Sequence, residues 1–198
     1  MKRIICAISL GVLLATPVFS QAIDITPMIH VTNEHSGQHD DSLDTFTETK
    51  FYGPYQFRVL KDAIETQGET KDIDGRVFRT SDGVFMHVKA RSINDSSMSL
   101  DNEIKNLVKD RTIPEPTVKM VLPIKDDVIE VYNDGVRSLL AEFMYGWPLK
   151  NRTDMVLVTD YEGTRYYYKL QFYRDRLPND VRIEQLRQMI MDAQFGFK

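Results

Sequence analysis

Three short turn sequences, each ending in glycine, separate pairs of apolar runs in this chain. The turns are Ser81-Asp82-Gly83, Asn133-Asp134-Gly135 and Asp160-Tyr-Glu-Gly163. Glycine reaches the positive φ that tight hairpin turns need, so each turn predicts two antiparallel strands. The expected strand pairs are residues 76–80 with 84–90, 127–132 with 136–145, and 155–159 with 164–172. Residues 139–142 also fit a helix, so the 136–145 strand has an alternative.

Two amphipathic helices and further strands complete the pattern. Residues 55–60 alternate as a half-buried strand does, and residues 117–122 are another strand candidate. A helix is expected at 100–110 and a second at 179–194, the latter with an apolar stripe of Val181, Leu186, Met189, Ile190 and Ala193. The predicted fold class is α+β, with an antiparallel sheet of about six to seven strands and two main helices packed on it.

Residues 1–22 have the organisation of a bacterial secretory signal peptide. Lys2 and Arg3 supply positive charge, residues 4–14 form a short apolar run, and small residues follow at Ser20 and Ala22. The run is shorter than the roughly 20 residues that a transmembrane helix needs. We expect cleavage near residues 20–22, a periplasmic or secreted mature protein, and no integral membrane span after cleavage.

Cysteine content and charge restrict the chemistry of the mature chain. Cys6, the only cysteine, lies in the leader, so disulfides, thiolate metal sites and a cysteine nucleophile are not expected. Of the 25 lysines and arginines, 23 remain without Lys2 and Arg3, against 29 acidic residues, a formal net charge of −6. An acidic chain is poorly suited to nonspecific nucleic-acid binding, so no nucleic-acid partner is expected.

Residues 23–50 are polar and acidic, with weak apolar periodicity. They are expected to form a flexible N-terminal segment, followed by a single α+β domain at 51–198. This segment contains His30, His35 and His39 close to carboxylates, a set that could bind Zn²⁺ or Cu²⁺. The alternative is a solvated segment without a metal, and no cofactor is expected.

The order of elements resembles the PsbP-like superfamily, which includes the PsbP subunit of photosystem II, the Ran-binding Mog protein and bacterial DcrB-type envelope proteins. The resemblance covers a first strand at 55–60, a hairpin and helix at 76–110, and a glycine turn before the aromatic strand 164–170. It ends with a helix and a short aromatic tail at 186–197. It implies binding or scaffolding rather than catalysis, and it supplies no catalytic residues.

Candidate contact residues come mainly from the aromatic strand at 165–174. Tyr167, Lys169 and Tyr173 lie on its more solvated face, where tyrosines beside cations suit recognition. Trp147, in the loop Tyr145-Gly-Trp-Pro148, is either a contact residue or a cover over the core edge. His87 is the one histidine of the expected domain, on the more solvated face of its strand, and is the catalytic candidate.

These features favour an exported, non-enzymatic binding or accessory protein of the bacterial cell envelope. A toxin-neutralising or envelope-maintenance factor would fit, with another protein or a small envelope ligand as partner. No Gly-x-Ser-x-Gly, His-Glu-x-x-His or Walker-type pattern is present. Two alternatives stay open: a hydrolase whose scattered active site includes His87, and a metal-binding protein that uses the His30–His39 segment.

Overall fold

All three predicted hairpins form, and they build most of one large sheet. The computed structural model describes residues 35–36, 41–66, 75–94, 98–112, 123–145, 151–177 and 179–196. The helices of this part are α1 (Leu100–Thr112) and α2 (Asp180–Met191), and 3₁₀ turns occupy Asp41–Thr45 and Arg174–Arg176. The strands are β1 (His35–Ser36), β2 (Thr47–Tyr52), β3 (Tyr55–Leu60), β4 (Ile64–Thr66), β5 (Arg76–Arg79), β6 (Phe85–Ser92), β7 (Pro123–Asn133), β8 (Val136–Tyr145), β9 (Arg152–Tyr161), β10 (Thr164–Tyr173) and β11 (Gln194–Phe195).

Seven antiparallel strands form the main sheet, in the order β7-β8-β9-β10-β6-β5-β4, and the short β1 joins β7 in parallel. A second sheet has the order β11-β3-β2. The predicted α+β class, with six to seven antiparallel strands and two helices, is confirmed. The sequence does not predict the small sheet, because β3 pairs there with the C-terminal β11, far away along the chain.

Turns with two consecutive positive φ angles close the two longest hairpins. Asp134 and Gly135 have φ of 50° and 78°, and Glu162 and Gly163 have φ of 47° and 73°. Such a pair defines the type I′ turn, whose twist matches that of antiparallel strands. The β7–β8 and β9–β10 ladders therefore start at the residues flanking each turn.

Strands β8 and β9 in the middle of the main sheet are buried on both faces, and their residues alternate between two cores. Leu139, Ala141 and Phe143 of β8 pack toward α1, whereas Leu140 packs toward α2 and the small sheet. A strand buried on both faces is apolar at nearly every position. This explains why residues 136–145, which form β8, also fit a helical pattern in the sequence.

Both helices begin at polar caps that the sequence offers. Ser99 Oγ accepts a hydrogen bond from the backbone N–H three residues on at 3.2 Å, and Asn179 Oδ1 does the same at 3.0 Å. Val181, however, is 64% exposed, so its place in the apolar stripe is wrong. It precedes Leu186 by five residues, which rotates it well away from that stripe. Neither helix is long and apolar enough to cross a membrane.

The described fold begins before the domain limit that the sequence predicts. The predicted start of the domain at residue 51 falls inside β2, because residues 47–52 pair with β3 and the 3₁₀ turn Asp41–Thr45 precedes them. The predicted strand at 117–122 lies outside the described residues.

A buried guanidinium joins the start of the described fold to its end. Arg58 on β3 has a side chain only 2% exposed. Its Nη1 donates to the Asp44 carboxylate and, at 3.1 Å, to Thr47 Oγ1, while its Nε donates to Asp192 just after α2. A buried charge is tolerated when carboxylates and hydroxyls satisfy it in this way. Arg58 therefore fixes the 3₁₀ turn and the end of α2 on the same strand.

We expect Arg58→Ala to lower the free energy of unfolding by about 3 kcal/mol, because it leaves the Asp192 carboxylate without its buried partner. Urea denaturation at neutral pH measures the change. Lys50→Ala is the matched control, since it removes a surface pair with Glu48 (2.9 Å) and should cost under about 1 kcal/mol. Equal losses in the two variants would contradict the role given to Arg58.

Candidate functional site

Helix α1 covers only part of its face of the main sheet. It packs on β7, β8 and β9, and leaves β6 and the adjoining part of β10 more accessible. Side chains of a strand alternate between its two faces, so His87, Lys89 and Arg91 of β6 point to the α1 side. Tyr167 and Lys169 of β10 do the same, and the ladder places Lys169 opposite His87 and Tyr167 opposite Lys89.

These five residues line a cleft beside α1 with a volume of about 330 Å³. Glu103 and Leu107 of α1 form one wall, and Val156 of β9 contributes to the lining. We call this feature the cationic cleft. Its lining carries Lys89, Arg91 and Lys169 against the single carboxylate of Glu103, besides the titratable His87.

Tyr167 occupies the base of the cationic cleft. Its side chain is buried, with 7% exposure, and its hydroxyl donates to Glu103 Oε1 at 2.7 Å. Burial, together with this hydrogen bond, raises the pKa of the Tyr167 hydroxyl, so the residue stays neutral at physiological pH. Lys89 Nζ lies 5.3 Å and Arg91 Cζ 5.4 Å from the ring centroid, within cation–π range. The ring therefore holds two cations at the mouth of the cleft.

Glu103 connects the cleft to a deeper ion-pair network. Its Oε2 accepts from Arg91 Nη2 at 2.7 Å and from Arg165 Nη1 at 3.2 Å. Arg165, 1% exposed, also donates to both oxygens of Asp160, at 2.6 and 2.7 Å, and to the Met98 carbonyl at 2.7 Å. The hydrogen bonds to Asp160 are the main cause of the raised pKa of the Arg165 guanidinium. This network holds the N-terminal half of α1 against β9 and β10.

A second buried carboxylate lies behind Lys169. Asp154 has no exposed surface, and both its oxygens accept from Arg152 at 2.7 Å. Lys169 Nζ lies 3.6 Å from Asp154 Oδ2, while 24% of the lysine side chain stays exposed. Arg152 makes two hydrogen bonds to Asp154, and Lys169 is a second, more distant cation beside the same carboxylate.

The structure brings two predicted contact residues into the cleft and separates the others. Lys169 and Tyr167 are both there, but the expectation of a solvated Tyr167 is wrong, because α1 covers that part of the strand. Tyr173 lies further along the same face of β10, half-buried beneath Arg176, whose Cζ is 5.0 Å from its ring centroid. Trp147 lies outside the described residues.

The predicted metal ligands are largely outside the described part of the chain. His30 and His39 are not in it, and of His35 only the backbone, in β1, is described. Among the described residues no group of three His, Cys, Asp or Glu side chains is placed to hold a metal ion. His87, the catalytic candidate, lies in the cationic cleft with its ring 6.2 Å from that of Phe85.

Sequence reasoning missed Lys89, Arg91 and Glu103. The alternation of residues 85–91 does place Phe85, His87 and Lys89 on one face. It does not reveal that β6 pairs with β10, nor that α1 brings Glu103 over both strands. The site depends on these two long-range contacts, which leave no local signal.

A second ion-pair group anchors α1 near its N-terminus. Arg137 of β8 donates to both Asp101 oxygens, at 2.8 and 3.0 Å, and its Nε donates to Glu130 of β7. These hydrogen bonds lower the pKa of the Asp101 and Glu130 carboxyls. The carboxylates are therefore held ionised while α1 is docked.

These lowered pKa values predict loss of stability in acid. A carboxyl whose pKa is lower in the folded state stabilises the fold above its unfolded pKa of about 4, and loses that effect as the pH falls through the folded value. Arg137→Met should lower the urea midpoint at pH 7 and make its further fall between pH 5 and 3 shallower. Arg182→Met, which removes an arginine seated on Phe46, is the control. An unchanged acid dependence in Arg137→Met would contradict this.

Comparisons with known proteins identify the fold. No family model matches the chain, and no curated protein matches it in sequence. Among solved structures, cyanobacterial PsbP (CyanoP) from Synechocystis sp. PCC 6803 is similar, with a TM-score of 0.55 and 17% identity over 76% of this chain and 93% of the other. PA94 from Pseudomonas aeruginosa, a protein of unknown function, aligns with a TM-score of 0.38 and 6% identity over 73% and 96% of the two chains. The resemblance seen in the sequence is thus confirmed at the level of structure: the chain has a PsbP-like fold.

Proposed function

We propose that this chain is an exported, non-enzymatic binding protein of the bacterial cell envelope, and that its cationic cleft holds an acidic surface of another protein. The observation that carries the proposal is the charge of the cleft. An acidic chain places Lys89, Arg91 and Lys169 around one carboxylate, in a concave site next to α1. Such local concentration of one sign of charge attracts the opposite sign and speeds association.

The cleft cations are accessible to a partner. Lys89 is exposed, 49% of the Arg91 side chain is exposed, and Lys169 keeps 24% of its side chain exposed. Tyr167 and the Glu103 wall hold Lys89 and Arg91 in place before a partner arrives. Pre-positioned side chains lose less conformational entropy on binding.

The leader and the fold support the rest of the proposal. Residues 1–22 have the organisation of an export signal, which would deliver the chain to the envelope. The PsbP-like fold is consistent with protein interactions, since the family resemblance implies binding or scaffolding. One fold hosts many activities, so the charge of the cleft, rather than the fold, carries the binding role.

Charge reversal in the cleft tests the binding role. With the mature chain and an oligoglutamate peptide as probe, we expect chemical-shift changes at the backbone amides of residues 87–91 and 167–169. Lys89→Glu combined with Lys169→Glu should weaken binding at least tenfold, about 1.4 kcal/mol, and added salt should weaken it further.

The control carries the same change of charge outside the cleft. Lys105→Glu and Lys61→Glu together reverse two exposed lysines that do not line it, and should preserve most of the affinity. The proposal fails if the peptide does not bind, or if both double variants lose binding equally. In cells, cross-linking to an envelope protein should show the same dependence on Lys89 and Lys169.

Export is tested separately by the mass of the protein recovered from the periplasm or medium. We expect a chain that begins at Gln21 or Ile23, the residues after the two candidate cleavage positions. A variant lacking residues 1–22 should stay in the cytoplasm, with the mass of the truncated chain and no further processing. An uncleaved chain found only in the cytoplasm would reject the export part and leave the cleft measurements unaffected.

A further inference from the structure

A second pocket lies on the α1 side of the main sheet, at the turn end of the β5–β6 hairpin. Its volume is about 440 Å³, and it is lined by Arg79, Thr80, Gly83, Val84, Phe85 and Gln171. Phe85 and Gln171 face each other across the β6–β10 ladder, two residues along from the pair His87 and Lys169. The pocket is therefore a neighbour of the cationic cleft with a lining of its own.

Arg79 belongs to the lining of this pocket and Arg176 lies beside its lining residue Gly83, and each guanidinium lies on an aromatic ring. Arg79 Cζ is 5.3 Å from the centroid of Phe85, and Arg176 Cζ is 5.0 Å from that of Tyr173. Arg176 Nη1 would lie 3.3 Å from a Cβ at position 83, so the absence of a side chain at Gly83 gives it room at the rim. We call this feature, with Arg176 included, the arginine pocket.

These two arginines differ from most others in the described part of the chain. Ion pairs with carboxylates hold Arg58, Arg76, Arg91, Arg137, Arg152, Arg165 and Arg187. Within the described residues, Arg79 and Arg176 show ring contacts and no ion pair. Arg174 lies in the same 3₁₀ turn as Arg176. Its buried Nε has no hydrogen-bond partner among the described residues.

The other polar groups of the pocket suit an anion only in part. The Thr80 hydroxyl donates to the Asp82 carboxylate and accepts from the Val84 N–H at 2.9 Å, so it is already used within the turn. The Gln171 side chain belongs to the lining and carries an amide that can donate. Positive charge in the pocket therefore comes from the guanidinium groups, and Phe85 supplies an apolar surface.

We propose that the arginine pocket binds the phosphate group of a phosphorylated small molecule. A guanidinium presents parallel N–H groups that match phosphate oxygens, and aromatic stacking holds it in a fixed plane. A phosphate monoester carries a charge of about −1.5 to −2 at pH 7. Two arginines match that charge more closely than they match the single charge of a carboxylate. The volume falls within the range of small-molecule sites, so it has room for an organic part against Phe85.

The probe that tests this is phenyl phosphate, compared with inorganic phosphate, added to the mature chain and followed by NMR. We expect saturable shifts at residues 79–85 and 171, with a dissociation constant on the order of 1 mM. Phenyl phosphate should bind more tightly than inorganic phosphate, because its ring can contact Phe85. Arg79→Gln and Arg176→Gln should each raise the dissociation constant about tenfold.

The matched control is Arg182→Gln. Arg182, on α2, also lies on an aromatic ring, with its Cζ 5.6 Å from the Phe46 centroid. The Arg182→Gln variant should leave phosphate binding unchanged.

Arg176→Lys keeps the charge without the paired N–H geometry, and this variant should bind phosphate with intermediate affinity. Melting temperatures show that each variant is folded, and Lys89→Glu with Lys169→Glu should not abolish binding, which separates this site from the cationic cleft.

The source of the phosphate group is distinguished by a vesicle assay. Binding to phosphatidic acid vesicles that requires Arg79 and Arg176 would assign the site to a lipid headgroup, whereas binding of phenyl phosphate alone would assign it to a soluble ligand. Two results would overturn the proposal. One is the absence of saturable binding by either phosphate compound and by the vesicles. The other is an equal loss of binding in Arg79→Gln, Arg176→Gln and the control Arg182→Gln.

Discussion

The central constraint of this fold is that β8, β9 and the first half of β10 are buried on both faces. Successive residues must satisfy two different environments, one formed by α1 and the other by α2 with the small sheet. On β10, Tyr168 and Leu170 enter one core, while Arg165 and Tyr167 must be accommodated under α1 on the opposite side. The position of α1 follows from this, since Glu103 satisfies both of these polar residues. The cationic cleft is the region just beyond the area that α1 covers.

The sequence predicts those parts of the fold whose signal is local. The turns at Gly135 and Gly163 determine both long hairpins, and Ser99 and Asn179 mark the two helix starts. Long-range pairing has no such signal. The pairing of β10 with β6 and the pairing of β3 with β11 both join residues that are many positions apart in the chain. This is why the class and strand number are predicted, whereas the second sheet is not.

The candidate site shows the same division. Strand alternation correctly places Lys169 on the face opposite Leu170, but it cannot show which helix covers that face. Tyr167 is expected in solvent for this reason, although it is buried and bound to Glu103. Likewise, composition gives an acidic chain, and only the structure shows that several cations gather on one face of its main sheet.

The bond from Arg58 to Asp192 has a consequence for the order of folding. It spans 134 residues, and β11, which completes the small sheet, comes later still in the chain. A growing chain therefore cannot complete this sheet, or neutralise Arg58 fully, until residues 192–195 have left the ribosome. Contacts that close so long a loop form late, because closing the loop costs chain entropy before the contacts can stabilise the fold.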